Sequence, residues 1–175
     1  MILLYGDEST FYRQPSQASL FAPRGRQQPP VHRSPRSDTA FRVGGFLDAV
    51  SGALHCWHAH KVTAEVVCKW LLCLAQAYPQ ATKIYVVLDN LPLHHHPRAM
   101  KAFGQDQRLK DLFLPTYSPW LNPIEKVWRR AKQIVAHAHP WCDDFAAFTQ
   151  TILSHLADTS TQGEQLLKYV GLSPQ

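Results

Sequence analysis

Residues 114–132 read LPTYSPWLNPIEKVWRRAK, and the fold turns on how that stretch is read. An apolar run ends at Leu114, three prolines (Pro115, Pro119, Pro123) bend the chain, and a helix opens. Asn122 suits an N-cap, Pro123 the first helical position and Glu125 the acid of a capping box. Each supplies or spares a hydrogen bond among the orphan amides of a first turn. Ile124, Val127, Trp128, Ala131, Ile134, Val135 and Ala138 then recur at helical spacing, which predicts one buried stripe. Lys126, Arg129, Arg130 and Lys132 fall on the other faces. Glu125 is therefore expected on a rigid first turn with cations around it. Alone, such an acid caps its helix and pairs with Arg129 one turn on. It becomes a metal ligand only if partner acids reach it from nearby strand ends.

Two candidates lie upstream. Ile2–Tyr5 is an apolar run too short for a helix, and Gly6-Asp7-Glu8 follows it, so a buried strand with Asp7 at or just past its end is expected. Residues 83–88 (KIYVVL) are apolar almost throughout, the mark of a strand covered on both faces, and lead into Asp89-Asn90. Residues 109–114 predict a third apolar strand. Between the first two, Phe41–Leu47 and Ala53–His60 flank Asp48–Gly52 as a hairpin. Thr63 can cap a helix reaching Tyr78, a shorter helix is expected over 97–103, and Asp143 or Asp144 can cap a last one through Phe145, Phe148, Ile152, Leu153 and Leu156. The order predicts an α/β fold: a mixed sheet, antiparallel strands first and then parallel, with right-handed crossovers and helices on both faces. Reactive crevices in such sheets lie beyond strand ends where the order reverses, so Asp7, Asp89 and Glu125 could converge.

One domain is expected over 1–158, with a tail at 159–175. Residues 13–39 form a basic insertion carrying five prolines and five arginines (Arg13, Arg24, Arg26, Arg33, Arg36), suited to lie along phosphates or to stand solvated. The net charge of +5 favours a polyanionic partner, though only weakly. No apolar run approaches a membrane span or a secretory signal, which predicts a cytoplasmic protein. Four cysteines (56, 68, 73, 142) show no disulfide framework. Cys56, His58 and His60 alternate along one strand face, which rarely closes a zinc site without ligands from elsewhere.

Asp7-Glu8-Ser9, Val87-Leu88-Asp89-Asn90 with His94, and Tyr117-Ser118-Pro119 followed by Leu121-Asn122-Pro123-Ile124-Glu125 and Trp128 resemble the catalytic segments of mariner-like bacterial insertion-sequence transposases. That family belongs to the D-D-E superfamily of ribonuclease-H-like endonucleases. The resemblance covers roughly residues 1–140, and its third segment is the most specific. Thirty-five residues separate Asp89 from Glu125, close to the family's spacing. By resemblance, Asp7, Asp89 and Glu125 bind two Mg²⁺ (or Mn²⁺) ions and cleave and join DNA strands at transposon ends. Asn90 and His94 would order their loop or touch DNA, and Lys126, Arg129, Arg130 and Lys132 would contact phosphates. A homodimer holding transposon ends and target DNA is implied, in a nucleoid-associated bacterial protein. The physics agrees independently, since two carboxylates about 4 Å apart repel by roughly 4 kcal/mol at an effective dielectric near 20. Divalent cations remove that repulsion, take hard oxygen ligands and keep waters available.

Two departures qualify the resemblance. Family members carry helix-turn-helix modules ahead of the first catalytic acid, and only six residues precede Asp7. A catalytic fragment, the second half of a split frame or a decayed copy is expected, working with a separate helix-turn-helix polypeptide. A tryptophan expected between Asp7 and the hairpin is also replaced by the proline-arginine tract. The same residues would serve a nuclease that never joins strands, or a DNA-binding remnant without catalysis.

Overall fold

The computed structural model describes residues 1–16, 31–36, 38–116 and 118–172. Tyr117 of the quoted motif, and Arg24 and Arg26 of the insertion, lie outside them. Strands β1 (Ile2–Tyr12), β2 (Ala40–Asp48), β3 (Leu54–Ala59), β4 (Ile84–Leu88) and β5 (Leu109–Phe113) form one sheet in the order β3-β2-β1-β4-β5. β1–β2 and β2–β3 pair antiparallel, while β1–β4 and β4–β5 pair parallel. The mixed topology is the one expected.

The tight turn between β2 and β3 is built by Asp48, whose Oδ1 accepts from the amides of Val50 and Ser51, and by Gly52 at φ +73°. Helix α1 (Ala64–Ala77) starts where the Thr63 hydroxyl accepts from the Val66 amide. It packs with α2 (Pro97–Gln105) on one sheet face, over Leu4, Phe46, Val86 and Leu88. Helices α3 (Ile124–Ala131), α4 (Phe145–Ser160) and α5 (Glu164–Val170) cover the other, over Phe11, Phe41, Val43 and Leu47. Strand alternation sorts these side chains to the two cores. Adjacent glycines on β2 make both approaches close. A Cβ on Gly44 would stand 2.3 Å from the Trp70 ring of α1, and one on Gly45 would stand 2.5 Å from the Trp128 ring of α3.

Three expectations need correction. β1 does not stop near Asp7 but runs to Tyr12, because β2 pairs with it along that whole length. Its parallel pairing with β4 does end at Tyr5↔Val87, so Asp7 lies mid-strand yet beyond the parallel portion. The stripe on α3 does not continue unbroken either. Residues Lys132–Ala136 form a π-helical turn, which advances the helix by one residue and turns Ile134 out at 57% exposure while Val135 and Ala136 are buried. Ala138 leaves the turn at φ +48°. Finally, the segment from 159, expected as a tail with a last turn over Leu166–Val170, completes α4 and forms α5, whose Leu166 and Val170 belong to the core.

Candidate active site

The acids gather because three elements end or pass at one place. β1 brings Asp7 past the point where β4 leaves it, β4 ends one residue before Asp89, and the proline turn after β5 delivers Glu125 on the first turn of α3. Asp7, Asp89 and Glu125 line a single cavity of about 260 Å³ with Asn90, Asn122, Leu114, Thr116 and Pro119 among others. Their oxygens do not all lie within 4.8 Å of one another, so the trio is wider than a one-ion cage.

Each acid is held by a neighbour. Asp7, only 9% exposed, accepts a hydrogen bond at Oδ2 from the indole N–H of Trp128 at 3.0 Å. Gly45 stands directly opposite Asp7 in the β1–β2 register, and its missing side chain gives the Trp128 ring its path. Burial, then the charge of Glu125, pushes the Asp7 carboxyl up to about 8, with Glu8 and Asp89 adding to the effect. Asp89 accepts from His94 Nδ1 at 2.8 Å. The other ring nitrogen of His94 meets Glu8 at 3.0 Å. These contacts favour the imidazolium and lift His94 to about 10 despite the opposing pull of burial. Burial alone would raise Asp89, yet its bonds to His94 and to the Leu91 amide bring it below the usual carboxylate range.

Asn122 does not cap α3. Its side-chain amide donates to the Gly6 carbonyl at 3.0 Å, tying the residue before Asp7 to the turn before Glu125. Its Oδ1 is buried without a hydrogen-bond partner among the described residues. Sequence reasoning missed this tie, the Trp128–Asp7 bond, the space at Gly45 and the His94–Glu8 contact. Two signals were available: a buried indole N–H needs an acceptor, and a glycine inside a strand often marks a close approach.

The residues expected on DNA divide sharply. His94 is buried at 1% exposure and has no surface to offer a phosphate. Asn90 donates to the Leu114 carbonyl and meets His95 Nε2 through its Oδ1 at 3.1 Å, latching the turn after β4 to the end of β5. Lys126 donates to the Val170 carbonyl at 2.8 Å, satisfying the C-terminal end of α5. Arg130 bonds Gln162 and lies 5.0 Å over the Tyr169 ring. Lys132 stands exposed with its ammonium 5.8 Å over Phe11. Arg129 is exposed, with no hydrogen bond or ion pair among the described residues, and faces the groove beside Glu125. Within the insertion, Arg13 is buried and donates to the carbonyls of Cys142 and Asp143, while Arg33 and Arg36 are exposed.

The three acids supply only hard oxygen donors, and the one at Asp7 is strongly opposed to ionising without a cation beside it. That donor set fits Mg²⁺ or Mn²⁺ and not a soft metal. Cys56, His58 and His60 form no metal-sized cluster; His32, Cys142 and Asp143 do, and His32 and Asp143 are already joined at 2.8 Å.

Comparison with known proteins adds the following. The family model described as DDE superfamily endonuclease matches residues 2–147. The insertion element IS630 uncharacterized 39 kDa protein of Shigella sonnei is 22% identical over 137 residues, which is 78% of this chain and 39% of that protein. Among solved structures, the mariner Mos1 paired end complex with Mg superposes with a TM-score of 0.71 at 15% identity, covering 97% of this chain and 51% of that one. The catalytic domain of Mos1 mariner transposase gives a TM-score of 0.52 at 14% identity, over 99% of this chain and 84% of that one. The ribonuclease-H-like fold is thus shared with transposase catalytic cores. The chain spans about two fifths of the length of the curated relative. No helix of the described residues is long and apolar enough to cross a membrane.

Proposed function

This chain belongs to the DDE superfamily endonuclease family, and on that premise we propose that it is the catalytic domain of a DNA transposase. The observation that supports this reading best is the shared cavity of Asp7, Asp89 and Glu125 with Asp7 pushed up to about 8. Asp7, Asp89 and Glu125 would hold two divalent ions, Mg²⁺ or Mn²⁺, which when bound activate the attacking oxygen and steady the departing one. The protein's own side chains fix the geometry. Trp128 orients Asp7, His94 orients Asp89, and Asn122 keeps the spacing between the strand carrying Asp7 and the helix carrying Glu125. Glu8, on the opposite face of β1, neutralises His94 and stays out of the reacting pocket.

The substrate is DNA at transposon ends, first cut to leave a 3′-hydroxyl and then joined to target DNA. Two ends must be paired, so the working form is a homodimer on DNA. Selectivity for the ends comes from a helix-turn-helix module, as a further part of the protein or a separate polypeptide, and the catalytic domain contacts phosphates. Such a protein acts at the bacterial nucleoid.

The test is strand cleavage on DNA carrying the element's ends. Nicking and joined product are expected with Mg²⁺ or Mn²⁺, and neither in EDTA or with Asp89→Asn. Cleavage without joined product would reduce the reading to a nuclease, and binding without cleavage would leave a DNA-binding remnant. A second expectation concerns His94. His94→Ala removes the donor that fixes Asp89, so Mn²⁺ affinity measured by calorimetry should fall about 10–100-fold, as when an outer partner of a metal ligand is lost. Unchanged affinity would remove His94 from the positioning role.

A further inference from the structure

We propose that Trp120 is a stacking platform for an unpaired DNA base beside the cleaved phosphate, with Arg129 on the adjoining phosphate. This rests on the DNA-cleaving function proposed above and adds which state of the substrate is bound. Trp120 is 76% exposed, more than any other Phe, Tyr or Trp among the described residues. It sits on the 3₁₀ turn Pro119–Leu121, which is held by hydrogen bonds on its C-terminal side. The Leu121 amide donates to the Ser118 carbonyl, the Asn122 amide donates to Pro119, and the Asn122 side chain is bonded to Gly6 in the central strand. An exposed indole held beside the acids offers an open π-face with an apolar body and a polar N–H edge.

The occupant is set by what surrounds the ring. Trp120 lines a groove of about 390 Å³ with Pro119, Asn122, Glu125, Lys126 and Arg129. Pro119, Asn122 and Glu125 also line the cavity of the three acids, so the groove adjoins that cavity on the Glu125 side. A strand with its phosphate among the acids therefore passes over Trp120 as it leaves past Glu125. Arg129 gives that path an uncommitted cation, and Lys126, tied to α5, adds positive field. An indole face can stack only on a base whose own face is uncovered, and inside a duplex both faces are taken by neighbouring pairs. The ligand is thus a frayed, extruded or overhanging nucleotide. Stacking of this kind is tolerant of sequence and acts through the π-face.

The experiment measures binding of the full chain in EDTA, by fluorescence anisotropy, to three labelled DNAs. One is a blunt duplex, one has a short single-stranded overhang, and one has the same overhang made of abasic nucleotides. Trp120→Ala should weaken overhang binding about tenfold, the size expected for one base on one aromatic ring, and leave blunt duplex within about twofold. Trp120→Tyr should keep most of the affinity. The wild type on the abasic overhang should match Trp120→Ala on the normal one. The melting temperature should not move, because the ring touches little of the fold. Equal losses on blunt and overhanging DNA, no loss at all, or no DNA binding by the wild type would each overturn the proposal. So would a change in sedimentation with Trp120→Ala, which would make a second copy of the chain the occupant. Cleavage is absent from this assay, so a failure of the metal-dependent chemistry would show separately.

Discussion

Asp7→Asn, stripped of divalent ions, is expected to melt at a higher temperature than the unsubstituted chain, with the gap widening from about pH 4 to about pH 8. The cause is the Asp7 carboxyl, raised from 3.8 to about 8 in the folded protein, chiefly by burial and then by Glu125. Between those values the unfolded chain has released a proton that the folded chain still binds. Stability therefore falls as pH rises through this window, and levels off above the folded value. Asparagine carries no charge to desolvate, keeps an oxygen for the Trp128 indole, and offers its amide hydrogens to the neighbouring carboxylates. The same change should abolish the response to Mg²⁺ or Mn²⁺. The wild type should gain about 2.7 kcal/mol at a hundred times its dissociation constant, and the variant almost none. DNA nicking should drop below detection. Opposite signs for stability and function are the mark of a site strained for its task. Calorimetric melting across pH, with EDTA and with Mn²⁺, reads all of this. A variant less stable than wild type in EDTA would make Asp7 a structural residue and remove the physical basis for the metal site.

Gly45→Ala should cost the protein both stability and the geometry of its site. The new Cβ would stand 2.5 Å from Cη2 of Trp128 and 3.1 Å from Ile124, inside a packed core. Overpacking of this kind costs about 1–3 kcal/mol, and relief requires the indole to move off the sheet. That movement would break its bond to Asp7, so cleavage and Mn²⁺ affinity should fall along with stability. Phenylalanine at 128 lacks the outer ring atoms that crowd the alanine. Gly45→Ala should therefore cost less in a Trp128→Phe background, with a coupling of about 0.5–3 kcal/mol by urea denaturation. The double variant should recover stability without recovering metal affinity, because phenylalanine has no N–H for Asp7. Simple additivity of the two losses would show that the glycine does not shape the site through the indole.

Much of the architecture was legible because it is written in local patterns. The continuous apolar run at 84–88 announces a central strand, Asp48 and Gly52 announce a tight turn, and Thr63 announces a helix start; all three are found. The stripe over 124–138 failed at Ile134 for a reason no periodicity contains. The π turn takes its extra residue as the chain passes Phe11 and Ser16, a long-range contact made visible as a helical irregularity. Asn122 failed as a cap for a similar reason. Its sequence context favours a local bond, and the Gly6 carbonyl, 116 residues away, takes the amide instead.

The sequence by itself singled out Asp7, Asp89 and Glu125 as candidates, because apolar runs end near the first two and a proline-rich turn precedes the last, and all three line one cavity. Only the tertiary structure decided what each neighbour does. His94, expected to order its loop or touch DNA, is a buried brace between Asp89 and Glu8, Lys126 is a helix end-group, and Arg129 faces the groove. The physical reason is range. Apolar period and turn chemistry act between residues a few positions apart, whereas the partner that satisfies a buried imidazole, indole or amide is chosen by whichever distant strand is packed beside it.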